Sequence, residues 1–247
     1  MTRKSDAAAR GAQNTALTST SGDGREGRLD RFITDLRDKG IDGTAGYASA
    51  DAVARKALRK AGVGKSALTG SAPGRAATAQ QQDKAIRHLV RAHRRTVTLG
   101  GFVTGLGGIV TLPVMLPANL VEYTVQASRL AAAIAIVRGH DADSPQMRDA
   151  VLATLLGDEA FDVMRAAGVS GLKGLAGRAA LRRLPGMNLS PASGAIATRL
   201  LKRFSLHSVR VFGKAIPLLG AVLGAWSDRR QLKQVVGAAT EAFPARG

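Results

Sequence analysis

The residues that could do chemistry in this sequence are few, and most are badly spaced for it. Gly64-Lys65-Ser66 ends like a phosphate-binding loop. The full pattern needs an earlier glycine where Arg59 stands, and a strand before it, which the sequence does not offer. His140, Asp141 and Asp143 supply donors that metals accept, but no second pair at ligand spacing joins them. They read better as a turn whose acids favour the N-terminus of the next helix. No cysteine is present, which excludes disulfides, cysteine zinc sites and cysteine nucleophiles. The sequence therefore assigns no catalytic, cofactor-binding or metal-ligating residues.

One polar group invites more attention. Glu122, Gln126 and Arg129 stand at i, i+4 and i+7, hence on one face of an otherwise apolar helix. Charges in such surroundings are costly unless paired. The stripe is either an internal salt-bridged network or a polar lining that faces a cavity or a partner. An enzyme would need a polar pocket converging on this stripe or on His140.

The element that positions the stripe is the most distinctive in the chain. From Thr96 to Val121 there is no charge, and the segment is rich in glycine. Its glycines do not match the dinucleotide fingerprint. Gly101, Gly105 and Gly108 fall at i, i+4 and i+7, which predicts a strip of small residues for close helix packing. Each costs about 0.5–1 kcal/mol of helix stability relative to alanine. Pro113 and Pro117 then break the helix, and Pro117 opens the next one, which runs to about Val137 before Gly139. Residues 96–137 are thus predicted to form a Gly/Pro-rich helical hairpin. It would be a tight core or a wedge docked on a membrane.

The surroundings also read as helical. Residues 1–27 lack large apolar side chains and are expected to be a disordered tail. Leu29, Phe32, Ile33 and Leu36 predict a first helix ending at Gly40, and Val53, Ala57 and Leu58 a second from Ala50 to Ala61. These helices and a Gly/Ser/Pro linker at 63–77 are expected to form an appendage, residues 28–77, beside a main domain over 78–243. A third helix from Thr78 carries Ile86, Leu89, Val90 and His93 on one face and Lys84, Arg87, Arg91, Arg94 and Arg95 elsewhere. Ser144-Pro145 opens another helix, buried through Met147, Val151, Leu152, Leu155 and Leu156. Further helices are predicted at 158–167, 172–184, 191–204, 206–214 and from 216 to about 242. No period-2 strand pattern competes. The fold class is all-α, a multi-helix bundle built around the 96–137 hairpin.

The net charge of +18 implies an anionic partner. Between Lys173 and Lys233 the only acid is Asp228. Arg178, Arg182, Arg183, Arg199, Lys202, Arg203, Arg210 and Lys214 are the candidate residues for an anionic surface. Basic helices with large apolar residues suit anionic lipid. Nucleic acid is the second choice, because interleaved aromatics for base stacking are missing. No apolar segment follows Met1, so no signal peptide is expected.

The run GFVTGLGGIVTLPVMLPANLVEYTVQASRLAAAIAIVRGHD resembles the core of the EcsC family. There a glycine-rich segment leads into a proline-bounded LP..LP turn and a helix closed near a Gly-x-Asp turn. Leu112-Pro113, Leu116-Pro117, Gly139 and Asp141 match in order, and AIPLLGAVLGAWSDRRQLKQVVGAATEAF resembles the family's close. The resemblance covers about residues 85–243. Asn119 stands where the family often has an acid. The resemblance implies a bacterial protein, named for a companion of an ABC transporter operon, with no catalytic residues to carry over. The expected place is the cytoplasmic face of the inner membrane, peripheral or partly inserted. The expected partners are anionic lipids or a membrane protein such as an ABC transporter.

Overall fold

A computed structural model of the chain describes residues 27–96, 118–141, 143–169, 181–187, 189, 192–212 and 232–246. Among the described residues every regular element is a helix, and the β pairing is one isolated bridge between Thr44 and Tyr47. The hairpin's first arm, with Gly101, Gly105, Gly108, Pro113 and Pro117, lies outside them. So do Arg178 and Lys214.

The fold is arranged around helix α4, Ala118–Val137, the second arm of the hairpin. Its run from Leu120 to Val137 has a mean hydropathy of 1.3, and 83% of it is buried inside the protein. It is long and apolar enough to cross a membrane, but here other helices cover it. Four alanines, Ala131, Ala132, Ala133 and Ala135, let neighbours approach closely, while Leu120, Ile134 and Ile136 are fully buried. Each of the three larger side chains contributes about 1.5–3 kcal/mol by leaving water.

Helix α1, residues 27–42, buries Ile33 and Leu36 as expected. It does not stop at Gly40, which lies inside the helix where α1 crosses α4. A Cβ at Gly40 would stand 2.5 Å from the Val125 carbonyl oxygen. The stop is Gly43, with φ +82°, a conformation that disfavours side chains. Helix α2, Ala50–Lys60, is capped by the Ser49 hydroxyl, which accepts from the Ala52 amide at 3.2 Å. It packs against α4 and against α3, Ala79–Thr96. Thr78 and Gln81 close a reciprocal capping box on α3, each side chain accepting from the other's amide.

Residues 63–77, read from composition as a linker, are packed. Two short 3-10 turns, Lys65–Ala67 and Pro73–Ala76, bring Val63, Leu68, Pro73, Gly74 and Ala77 into the interior. Gly74 touches the carbonyls of Ile136 and Val137 so closely that no side chain would fit. This segment and helices α1 and α2 share one apolar cluster with α4.

Helix α5, Pro145–Thr154, starts as its Ser-Pro opening predicts, with Ser144 Oγ accepting from the Met147 amide at 3.4 Å. A turn through Gly157 (φ +61°) leads to α6, Ala160–Ala166. Helix α7, Ser193–Phe212, replaces the two helices expected at 191–204 and 206–214. Ser205 lowers helix propensity only slightly and supplies no stop. Helix α8, residues 232–242, is followed by a short tail over 243–246; Ala242 and Phe243 are fully buried.

Candidate functional site

The polar stripe of α4 meets the turn between α1 and α2. Arg129 donates to Gln126 Oε1 at 3.0 Å, and its guanidinium lies 3.8 Å from the centre of the Tyr47 ring. That cation–π contact offsets part of the cost of burying the charge. Burial still lowers the Arg129 pKa, and burial raises the Tyr47 hydroxyl to about 12. Glu122 reaches the same place electrostatically, since its charge adds to the rise at Tyr47. The stripe is therefore a packing junction that fixes the α1–α2 turn on α4. His93 of α3 is also near: burial, then the Arg129 charge, lowers its pKa to about 4.

The opposite end of α4 carries the second junction. Gly139, with φ +86°, turns the chain so that His140 points inward and is only 2% exposed. Its Nε2 lies 3.0 Å from the Pro244 carbonyl oxygen, which only accepts, so Nε2 carries the proton. The ring meets Phe243 edge-on, at 5.2 Å and 74°. Burial is the main reason its pKa falls to about 4, with Arg246 and Arg75 adding to the drop. Arg75 donates to the Gly139 carbonyl at 3.1 Å, and the Arg246 amide donates to the Arg138 carbonyl at 2.8 Å. Asp141 accepts from the Asp143 amide at 3.0 Å, the turn that precedes Ser144. The neutral histidine thus pins the C-terminal segment to the end of the core helix. A cleft of about 380 Å³ opens beside it, lined by His140, Arg182, Arg183, Met187, Pro244 and Arg246, with Pro185 and Gly186.

A third cluster was not visible in the sequence reading. Arg37 of α1 donates to Asp149 of α5 at 2.8 Å, while Arg148 of α5 reaches Asp38 of α1 at 3.2 Å. Arg148 also holds Asp42 at 2.6 Å. The Arg148 hydrogen bond is the leading cause of the lowered Asp42 pKa. The clue is the dipeptide Arg-Asp, present once in each helix and crossed between them. The clamp ties α1 to α5 through crossed ion pairs.

The basic residues divide into two groups. Those expected to bind an anionic surface near the C-terminus are partly engaged inside the protein. Arg182 pairs with Glu241 at 3.2 Å, Arg199 with Glu159 at 2.5 Å, and Arg203 donates to Gln234 at 2.9 Å. Arg183 and Lys202 are exposed; Arg210 lies in α7. The other group is on α2 and α3. Lys60, Lys84, Arg87 and Arg91 are exposed and make no ion pair among the described residues. The acids beside them, Asp51 and Asp83, are held by Arg55 and Arg138. Lys84, Arg87 and Arg91 stand at i, i+3 and i+7, so α3 presents them on one face. His88 lies among all four. Burial first, then their charges, lowers its pKa.

Lys65 and Ser66 begin one of the 3-10 turns, with Gly64 extended before it and helix α2, not a strand, leading in. It is not a phosphate-binding loop.

These features define an all-helical protein with a buried apolar helix at its centre and strongly basic outer faces. The chain belongs to the EcsC protein family, whose model matches residues 52–247. No curated protein and no solved structure matches it.

Proposed function

We propose that this EcsC-family protein works at the cytoplasmic face of a membrane, held by anionic lipid headgroups. The observation that carries the reading is the exposed face of Lys60, Lys84, Arg87 and Arg91. It makes no ion pair among the described residues, and α3 leads in sequence straight into the uncharged segment that begins at Thr96. A cationic patch next to a long uncharged segment combines the two attractions that hold a protein to an acidic bilayer, one electrostatic and one apolar. Neither α2 nor α3 carries a Phe, Tyr or Trp, the large aromatic rings on which bases stack best. The exposed Arg183 and Lys202, with Arg178, Arg210 and Lys214, would add a second, weaker contact. A membrane transporter at the same surface is the companion proposal for a protein partner.

Flotation with liposomes tests this. Each basic residue near an acidic surface contributes about 1 kcal/mol. Wild type is expected to float with acidic and not with neutral liposomes. The K60Q/K84Q/R87Q/R91Q variant is expected to bind acidic liposomes at least about a hundredfold more weakly. Equal binding to both liposomes, or to neither, overturns the reading. Loss of DNA binding with liposome binding intact would move the face to nucleic acid.

A further inference from the structure

The cleft beside His140 has a different character from the α2–α3 face. It is concave, and its size of about 380 Å³ falls within the range of small-molecule sites. Three guanidinium groups border it, from Arg182, Arg183 and Arg246. Arg182 gives one donor to Glu241 and keeps its others, since a guanidinium has several. Arg183 and Arg246 are exposed at the mouth. Arg75 stands close behind, its stem against Gly139. Among the described residues one carboxylate, Glu241, pairs with these arginines, so positive charge is in excess there. Pro185, Met187 and Pro244 supply apolar wall.

The elements that form this cleft are fixed. The tail 243–246 is anchored through Phe243, the Pro244 carbonyl and the Arg246 amide. The Leu184–Gly186 turn opposite it is seated by fully buried Leu184. The arginines are thus mounted on ordered backbone on both sides, which reduces the ordering cost of binding.

We propose that this cleft binds a phosphate-bearing group, with Arg183 and Arg246 as its principal donors and Arg182 at its edge. Guanidinium donors match phosphate oxygens in pairs and are weakly hydrated, so they hold phosphate better than lysine does. The apolar wall seats the uncharged part of the ligand. The same chemistry fits a soluble organic phosphate or the headgroup of a phospholipid. The site does not depend on the α2–α3 face.

Titration calorimetry with inorganic pyrophosphate and glycerol phosphate tests the soluble form, and phosphatidic acid vesicles test the lipid form. The variants are R183A/R246A and, as a control with the same charge loss at exposed residues outside both basic sites, K56Q/R165Q. Both arginines are exposed, so circular dichroism and melting should match wild type. Saturable binding with one site per chain is expected for at least one probe. R183A/R246A is expected to weaken it at least about tenfold for each arginine, the effect of losing a charge-assisted hydrogen bond. The control is expected to change soluble-probe binding less than twofold. On vesicles, the cleft is identified by a loss in R183A/R246A larger than in the control. Binding of no probe overturns the proposal. So does equal weakening by both variants, which would mean only diffuse attraction to charge.

Discussion

Gly40 gives the sharpest test of how the helices meet. Replacing an interior helical glycine by alanine normally stabilises a protein by about 0.5–1 kcal/mol. At Gly40 the new Cβ would stand 2.5 Å from the Val125 carbonyl oxygen, 3.0 Å from Ser128 Cβ and 3.2 Å from the Arg129 amide nitrogen. Two of these are backbone atoms of the buried helix α4 and cannot swing aside. Overpacking of this kind costs about 1–3 kcal/mol, and a backbone obstacle puts it at the upper end. The difference leaves G40A destabilised by about 2 kcal/mol. At this chain length that lowers Tm by about 4–8 °C. Gly237 is the control: it lies in α8, and a Cβ there meets nothing within 4 Å. G237A is expected to raise stability by about 0.5–1 kcal/mol. Urea unfolding of both variants decides the matter. If G40A is as stable as G237A, α1 does not cross α4 at this point.

Four further outcomes follow from the contacts between helices and at their ends. His140 and His93 have folded pKa values of about 4, below the unfolded value of 6.5. The unfolded chain therefore takes up protons first, and stability present above pH 6.5 is lost as pH falls toward 4. Urea unfolding at pH 7.5 and 5.0 should show this loss, and H140N should show a smaller one. Asp42 is also depressed, through Arg148, so R148Q should remove part of the stability otherwise lost as pH falls below the unfolded value of 3.8. Arg37 has a nearly buried side chain whose partner Asp149 is partly exposed, so R37M should cost about 2 kcal/mol, between the surface and buried limits. A double-mutant cycle with D149N measures how much of that belongs to the pair. T78A breaks the capping box of α3 and should cost about 1 kcal/mol by thermal melting.

Local signals in the sequence translated well. Gly139 turns the chain after α4, and Ser144-Pro145 opens α5, because caps and prolines act within a few residues. The apolar faces of α1, α2 and α5 followed from helical spacing alone. What failed depended on distant partners. Gly40 resembled a helix stop because a glycine at a crossing and a glycine at a terminus look alike in sequence. Residues 63–77 had a linker's composition, yet Val63, Leu68 and Pro73 find the α4 core from a segment with little helical pattern. The Arg-Asp clamp joins residues far apart in the chain, and its repeated dipeptide is too common to be diagnostic. The stripe on α4 was visible, but its contact with Tyr47 was not, since that tyrosine sits in an unremarkable turn. The charge asymmetry toward the C-terminus pointed to residues 173–233. Counting charges along the chain cannot show that Arg182, Arg199 and Arg203 have internal partners while the α3 face has none among the described residues.

The membrane-surface account rests on which face meets the lipid, and the absence of cysteine makes that directly measurable. An environment-sensitive dye can be attached through R91C on α3 or K202C on α7, each the sole thiol in its variant. On acidic vesicles the account predicts a strong blue shift and loss of quencher access for the dye at position 91, and a weak response at 202. A strong response at 202 with none at 91 would contradict it.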